Sequence, residues 1–290
     1  MNLAVSTYSL ARWRKENNKT LEQSLAWIAD EAGVDAVEFA GAIADEGQDV
    51  MKRAAALRKR CDKLGLKVVS YCVGAELLVP EAQQRKVVEQ LKKHVDAALE
   101  FGAPSMRHDV TWGFGKHSQG LRILETVDAA IKHVVPAIRE VTDYGQLKKV
   151  KTSLENHGFF MQASKRVEKL IDAVNHPNFR LTIDLGNFLV VNEDCSSATR
   201  RLAKYTIMAH AKDFHVKPKK DIPPTGWFAT PTDICLRGAI AGHGVLDLPA
   251  QLKLLKQAGY NGYVSLEFEG MEEPTQAVKL GLDYLRGILP

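Results

Sequence analysis

Apolar and polar positions follow two rhythms along this chain. Short runs rich in β-branched residues lie at residues 3–7, 36–39, 67–73, 104–107, 149–154, 179–183, 205–209 and 263–266. They read as strands buried on both faces. Between them run longer stretches with apolar residues three and four apart, the spacing of a helix with one buried stripe. These cover residues 20–32, 48–64, 80–101, 119–144, 164–174, 196–204, 247–258 and 273–285. In the third stretch Val87, Val88, Leu91, Val95, Ala98 and Leu99 make the stripe. Gly65 suits the left-handed end of the second helix, and Pro136 predicts a break or kink in the fourth. Residues 214–242, with Pro218, Pro223, Pro224 and Pro231, read as a long loop.

Strict alternation of strand and helix implies parallel strands joined by right-handed crossovers, because a parallel pair cannot be closed by a tight hairpin. Eight such units in 290 residues match the α/β class and a single (β/α)8 barrel, a TIM barrel, formed as one domain over residues 1–290. An open doubly wound sheet is the alternative, but no GxGxxG follows the first strand.

Composition adds mainly exclusions. Hydrophobic residues at 45% and charged residues at 26% are those of an ordinary globular protein. The formal charge of +4 is scattered along the helices apart from Lys212, Lys217, Lys219 and Lys220, which argues against a nucleic-acid partner. Cys61, Cys72, Cys195 and Cys235 form no CxxC pair, so neither a disulfide framework nor a zinc knuckle is expected. The first residues lack the basic and apolar regions of a signal peptide, and no apolar run is long enough to span a bilayer. A cytoplasmic protein without a membrane partner is the expectation.

In barrels of this kind the site lies at the C-terminal ends of the strands. The fifth, sixth, seventh and eighth strands end in Glu155, Asp184, His210 and Glu267. Adjacent parallel strands lie about 4.8 Å apart, so these side chains can converge above the barrel. Three gathered carboxylates repel one another and resist ionising unless a positive charge joins them. One divalent cation resolves the conflict. Oxygen donors with one imidazole suit Mn2+ first, with Mg2+, Co2+ or Zn2+ as alternatives. Acidic residues also end strands as turn and cap residues, but that explanation weakens when four consecutive strands share the feature.

Further candidates surround this set. His108 follows the fourth strand, His157 follows Glu155 by two, and Lys212 follows His210 by two. Arg237 lies in the stretch after strand seven, where such barrels often bind anionic groups. Trp112 and Trp227 offer aromatic faces for the C–H surface of a sugar or cyclitol, and Trp227 is also a place where two copies of the chain could pair as a homo-oligomer.

With these motifs the chain resembles the xylose isomerase-like barrels, which include sugar isomerases and epimerases, inosose dehydratases and AP endonucleases. The resemblance is carried by Leu154-Glu155-Asn156-His157, Ile183-Asp184-Leu185-Gly186-Asn187, Ala209-His210-Ala211-Lys212-Asp213, Gly242-His243-Gly244 and Ser265-Leu266-Glu267. It implies one metal ligand each from Glu155, Asp184, His210 and Glu267. It also implies that Glu155 and Glu267 exchange a proton beside a substrate carbonyl through an enediolate. The implied activity is a sugar isomerase or epimerase acting on a keto sugar or polyol. A lyase using the same enolisation, on an inosose or a 3-keto C-glycoside, is the rival. Many epimerases of this group carry histidine where this chain has Asn187, which can hydrogen-bond a hydroxyl but titrates nowhere near neutrality. That departure points away from the ketose 3-epimerases and from an AP endonuclease-like phosphodiesterase, which needs several more histidines. A non-catalytic ligand-binding barrel has no obvious use for the whole set.

Overall fold

A computed structural model of the protein describes residues 1–44 and 48–290. The first half of the chain runs β1 (Asn2–Ser6), α1 (Ala11–Glu16), α2 (Leu21–Glu31), β2 (Ala36–Ala40), α3 (Val50–Leu64), β3 (Lys67–Val73), α4 (Glu81–Phe101), β4 (Ser105–His108) and α5 (Val127–Leu147). It continues with β5 (Lys151–Glu155), α6 (Ser164–Val174), β6 (Phe179–Asp184), α7 (Cys195–Leu202) and β7 (Thr206–Ala211). Then come β8 (Asp213–Pro218), β9 (Phe228–Ala229), β10 (Ile234–Ala239), α8 (Leu248–Gln257), β11 (Tyr263–Leu266) and α9 (Pro274–Ile288). Eight parallel strands close in the order β1-β11-β7-β6-β5-β4-β3-β2. Because β1 pairs with both β2 and β11, the sheet has no edge and the open alternative is excluded. The molecule is a (β/α)8 barrel.

The two faces of the strands differ in chemistry. Outward residues such as Val5, Val37, Tyr71, Met106, Leu154, Ile183 and Ala209 join the apolar layer beneath the helices. Inward, only the bottom of the barrel is apolar, filled by Ala4, Ala36, Val69 and Met208. Above it lie buried Ser70, Ser153, Thr182 and Ser265, and then the charged residues at the strand ends. Ser153 and Thr182 hydroxyls pair at 2.9 Å inside the barrel. Two register shifts lie just below this charged layer, between Val37 and Glu38 on β2 and between Leu181 and Thr182 on β6. One extra residue re-aims the side chains beyond it; past the second shift Asp184 and His210 stand side by side.

The fold also departs from the sequence-based expectations. Residues 214–242 are not one loop: β8, β10 and β9 form a three-stranded antiparallel sheet that continues from β7. Its strands are short and separated by proline-bearing turns, which conceal the period of two. The helix expected at residues 119–144 begins later, at Val127, where Thr126 accepts a hydrogen bond from the Ala129 amide, and it runs through Pro136. Leu99 is half exposed, because the buried face of α4 passes through Ala97, Ala98 and Phe101. α1 was not legible, since its six residues bury no side chain fully. No described helix is long and apolar enough to cross a membrane.

Candidate active site

Glu155 ends β5, Asp184 ends β6, His210 lies in the last turn of β7, and Glu267 follows β11. Each occupies an inward position of the two-residue period. One donor atom from each of the four lies within 4.8 Å of the others. His210 Nδ1 is central, 2.8 Å from Glu267, 3.6 Å from Glu155 and 4.0 Å from Asp184. Asn156 holds Asp184 in place, accepting from its amide and donating to its carbonyl, both at 2.8 Å. The amides of Gly186 and Asn187 both donate to Asp184 Oδ1, so Oδ2 is left to face the other ligands.

Two residues outside the expected set complete the charged layer. Glu38, near the end of β2 and fully buried, lies 2.9 Å from Nε2 of His210 and also accepts a hydrogen bond from the Cys72 thiol. A carboxylate on that side keeps a proton on Nε2 and leaves Nδ1, which faces the acids, as the nitrogen that could take a metal. Arg107 of β4 lies 2.6 Å from Glu155 and 3.0 Å from Asp109. The signal for both is present in the sequence. Glu38 interrupts an apolar strand near its end much as Glu155 closes one, and the inward residue of β4 is Arg107, one position before His108.

The charges set one another. Burial pushes Glu155 up, but Arg107 and His210 outweigh it and hold this carboxyl well below the ordinary range. Burial likewise opposes ionisation of Glu267, and Lys212 and His210 draw it down to about 2. For Asp184 burial wins: despite Lys212, and with the repulsion of Glu267 and Glu155, it is pushed up to about 6. Burial alone would depress His210, yet Glu38, Glu155 and Glu267 raise it well above its usual value.

The donor set fits a divalent cation. Asp184 Oδ2 and His210 Nδ1 are buried and turned toward each other, with Lys212 3.2 Å from the first and Glu267 2.8 Å from the second. Three carboxylate oxygens and one imidazole nitrogen converging there match the preference of a hard or borderline ion.

Above the cluster opens a cavity of about 360 Å³. Lys212 joins the two: it lines the cavity and lies 3.2 Å from Asp184, 3.3 Å from Glu267 and 3.6 Å from Glu269. Asn187 also lines it, donating to Glu155 at 3.0 Å and accepting from Lys212 at 3.4 Å. His157 and Trp112 pack edge-to-face at 5.2 Å and form one wall, with Asp109 3.2 Å behind the imidazole. Tyr8, Gln162, Phe228 and Glu269 also border the cavity; of these the sequence pointed only to Phe228, beside Trp227.

Three expected residues lie elsewhere. His108 points outward because Arg107 points in; it is fully buried, its Nδ1 is 2.8 Å from the Asp109 carbonyl, and its ring packs near Phe179. Alternation likewise gives Phe228 to the cavity and leaves Trp227 outside its lining. Arg237 is engaged by Glu272 at 3.1 Å and by the Trp227 ring at 5.8 Å, away from the cavity.

The chain matches the xylose isomerase-like TIM barrel family over residues 26–288. It belongs to that family. L-ribulose-5-phosphate 3-epimerase UlaE of Escherichia coli O1:K1 is 22% identical over 280 residues, or 89% of this chain and 87% of that protein. Among solved structures, the IolI protein with a bound zinc atom matches with a TM-score of 0.75 at 16% identity, covering 100% of this chain and 98% of that one. D-allulose 3-epimerase from Methylomonas sp. matches with a TM-score of 0.72 at 16% identity, covering 100% and 98%. The sequence relatives include a ketose-phosphate 3-epimerase, the kind of enzyme from which Asn187 points away.

Proposed function

We propose that this protein is a divalent-metal-dependent isomerase or epimerase that moves a proton beside the carbonyl of a keto sugar or related polyol. The observation that carries the reading is the placement of Glu155 and Glu267. They approach from β5 and β11, on either side of β6 and β7, and His210 Nδ1 lies between them. Glu155, Asp184, His210 and Glu267 would hold the cation, Mn2+ first among those that suit the donors, and it would supply polarisation of the substrate carbonyl. The epimerase relative supports the same class of chemistry.

The chain's own residues divide the remaining work. Glu155, held ionised by Arg107, is ready at neutral pH to take the proton from the carbon next to the carbonyl. Glu267 faces the substrate from the other side, its carboxylate held by the Lys212 ammonium 3.3 Å away; it takes up a proton from solvent before returning one to that carbon, and Glu155 releases its own to solvent to close the cycle. Asn187 fixes Glu155, and the Trp112 and Phe228 rings give the cavity an apolar face.

Proton NMR in D2O with a panel of free and phosphorylated ketoses tests this reading. Solvent deuterium should enter at the α-carbon without loss of any group. Glu155→Gln and Glu267→Gln should each slow that exchange by about 10²–10⁴-fold. Full exchange in either variant would remove the acid/base assignment, and a deoxy or unsaturated product would assign a lyase instead.

A further inference from the structure

The charged layer bears on what the cavity can accept. Glu38, Asp109, Glu155, Asp184, Glu267 and Glu269 are opposed by two fixed cations, Arg107 and Lys212. Even a bound dication leaves the carboxylates in excess. Both cations are already committed: Arg107 to Glu155 and Asp109, Lys212 to three carboxylates. Glu269 borders the cavity itself and would face any phosphate group that entered. Asp45, Glu46 and Gly47, which lie outside the described residues, carry no positive side chain.

The places where a barrel ordinarily binds phosphate are also taken. Such sites use backbone amides in the loops after the last strands and a helix N-terminus there. Here the loop before α8 wraps around the chain's own Asp213. Its Oδ1 accepts from the Phe214 and Leu246 amides at 2.8 and 3.2 Å, and its Oδ2 from Gly242 and Gly244 at 3.0 and 2.9 Å. Asp213 is 1% exposed. The fit is close enough that a Cβ on Gly244 would lie 2.1 Å from Asp213 Oδ1, and Gly242 has φ +89°. At α9 the first-turn amide of Gln276 is bonded by Glu273 at 2.8 Å. The nearby guanidiniums of Arg12 and Arg237 are paired with Glu16 and Glu272. Each of these anion-binding features is satisfied by a carboxylate of the protein.

From this we infer that the cavity takes an uncharged polyol, a free keto sugar or cyclitol, and rejects its phosphate ester. The inference rests on the enolisation reading above. Hydroxyl groups find acceptors and donors in Glu269, Asn187 and His157, and a C–H face finds Trp112 and Phe228. A phosphate dianion would meet Glu269, and among the described residues that line the cavity the positive groups are Lys212, held by three carboxylates, and His157, engaged by Asp109.

Matched pairs separate ligand class from reaction class: L-ribulose with L-ribulose 5-phosphate, and D-fructose with D-fructose 6-phosphate. Binding is measured by calorimetry on the Mn2+-loaded protein, and α-proton exchange by NMR on the same samples. Each free ketose should bind at least about tenfold more tightly than its ester, with an affinity nearly independent of added salt. Glu269→Gln should narrow that ratio by improving the ester. Tighter binding of the esters, exchange on the esters alone, or binding of neither partner overturns the inference. Selective binding of free ketoses without exchange on any sugar upholds the ligand class and overturns the enolisation reading.

Discussion

The Glu38 carboxylate meets Nε2 of His210 at 2.9 Å, on the ring edge opposite the one that faces Glu267 at 2.8 Å. One imidazole therefore links a buried carboxylate that lies outside the ligand set to the four-residue cluster. Partners of this kind set the tautomer of a ligand histidine, and their loss typically weakens metal affinity by about 10–100-fold. Glu38→Ala should show a loss of that size in Mn2+ or Co2+ titrations. Glu38→Gln, which can still accept from Nε2–H, should lose less. Equal affinity in wild type and Glu38→Ala would show that the contact does not orient the ring.

Metal uptake should release a proton at neutral pH. In the metal-free chain Glu38, Glu155 and Glu267 overcome burial and raise His210 well above its ordinary value, so the ring is protonated at pH 7. A raised folded value stabilises the metal-free fold fully below about pH 6.5, and that contribution fades as pH rises through the folded value. Binding must expel this proton to free Nδ1. Calorimetry in buffers of different ionisation enthalpy should therefore report close to one proton released per ion at pH 7, and none in His210→Asn.

Lys212 is the buried counter-charge, within 3.6 Å of Asp184, Glu267 and Glu269. Lys212→Met leaves those carboxylates uncompensated and should destabilise the metal-free protein by about 3–5 kcal/mol in urea unfolding. Saturating Mn2+ should recover much of the deficit and bind more tightly than to wild type. A deficit indifferent to metal would mean that Lys212 acts only through packing.

Trp112 contributes an exposed aromatic face to the cavity wall, edge-on to His157. It makes no hydrogen bond or ion pair with either glutamate of the acid/base pair, so it should bind ground state and transition state alike. Trp112→Ala should raise KM by about tenfold and leave kcat within a factor of about two. A fall in kcat with unchanged KM would place the ring at the reacting carbon instead.

The barrel was legible because eight apolar runs and their helices keep strict order, and burial on both faces makes such strands conspicuous. Glu155, Asp184, His210 and Glu267 were legible because each closes its run with a polar residue. Glu38 and Arg107 carry a similar mark but belong to strands outside the consecutive set of four that drew the eye. His108 stood in for Arg107 by a displacement of one residue, and of the neighbouring pair Trp227 and Phe228 the pattern could not say which faces the cavity. A slip of one position moves a side chain to the opposite face of a strand. The β8-β10-β9 sheet was hidden by its prolines, and the nest around Asp213 by long-range amide contacts that no local pattern encodes.

That sheet follows the barrel strand that carries His210 after a single residue. Lys212 alone separates β7 from β8, so the backbone that carries His210 upward passes through the ammonium-bearing residue and straight into the ribbon that brings Phe228 over the cavity. The roof of the cavity and the positive charge beneath it are thus built from one continuous stretch of backbone, with no loop between β7 and the ribbon to set their positions separately.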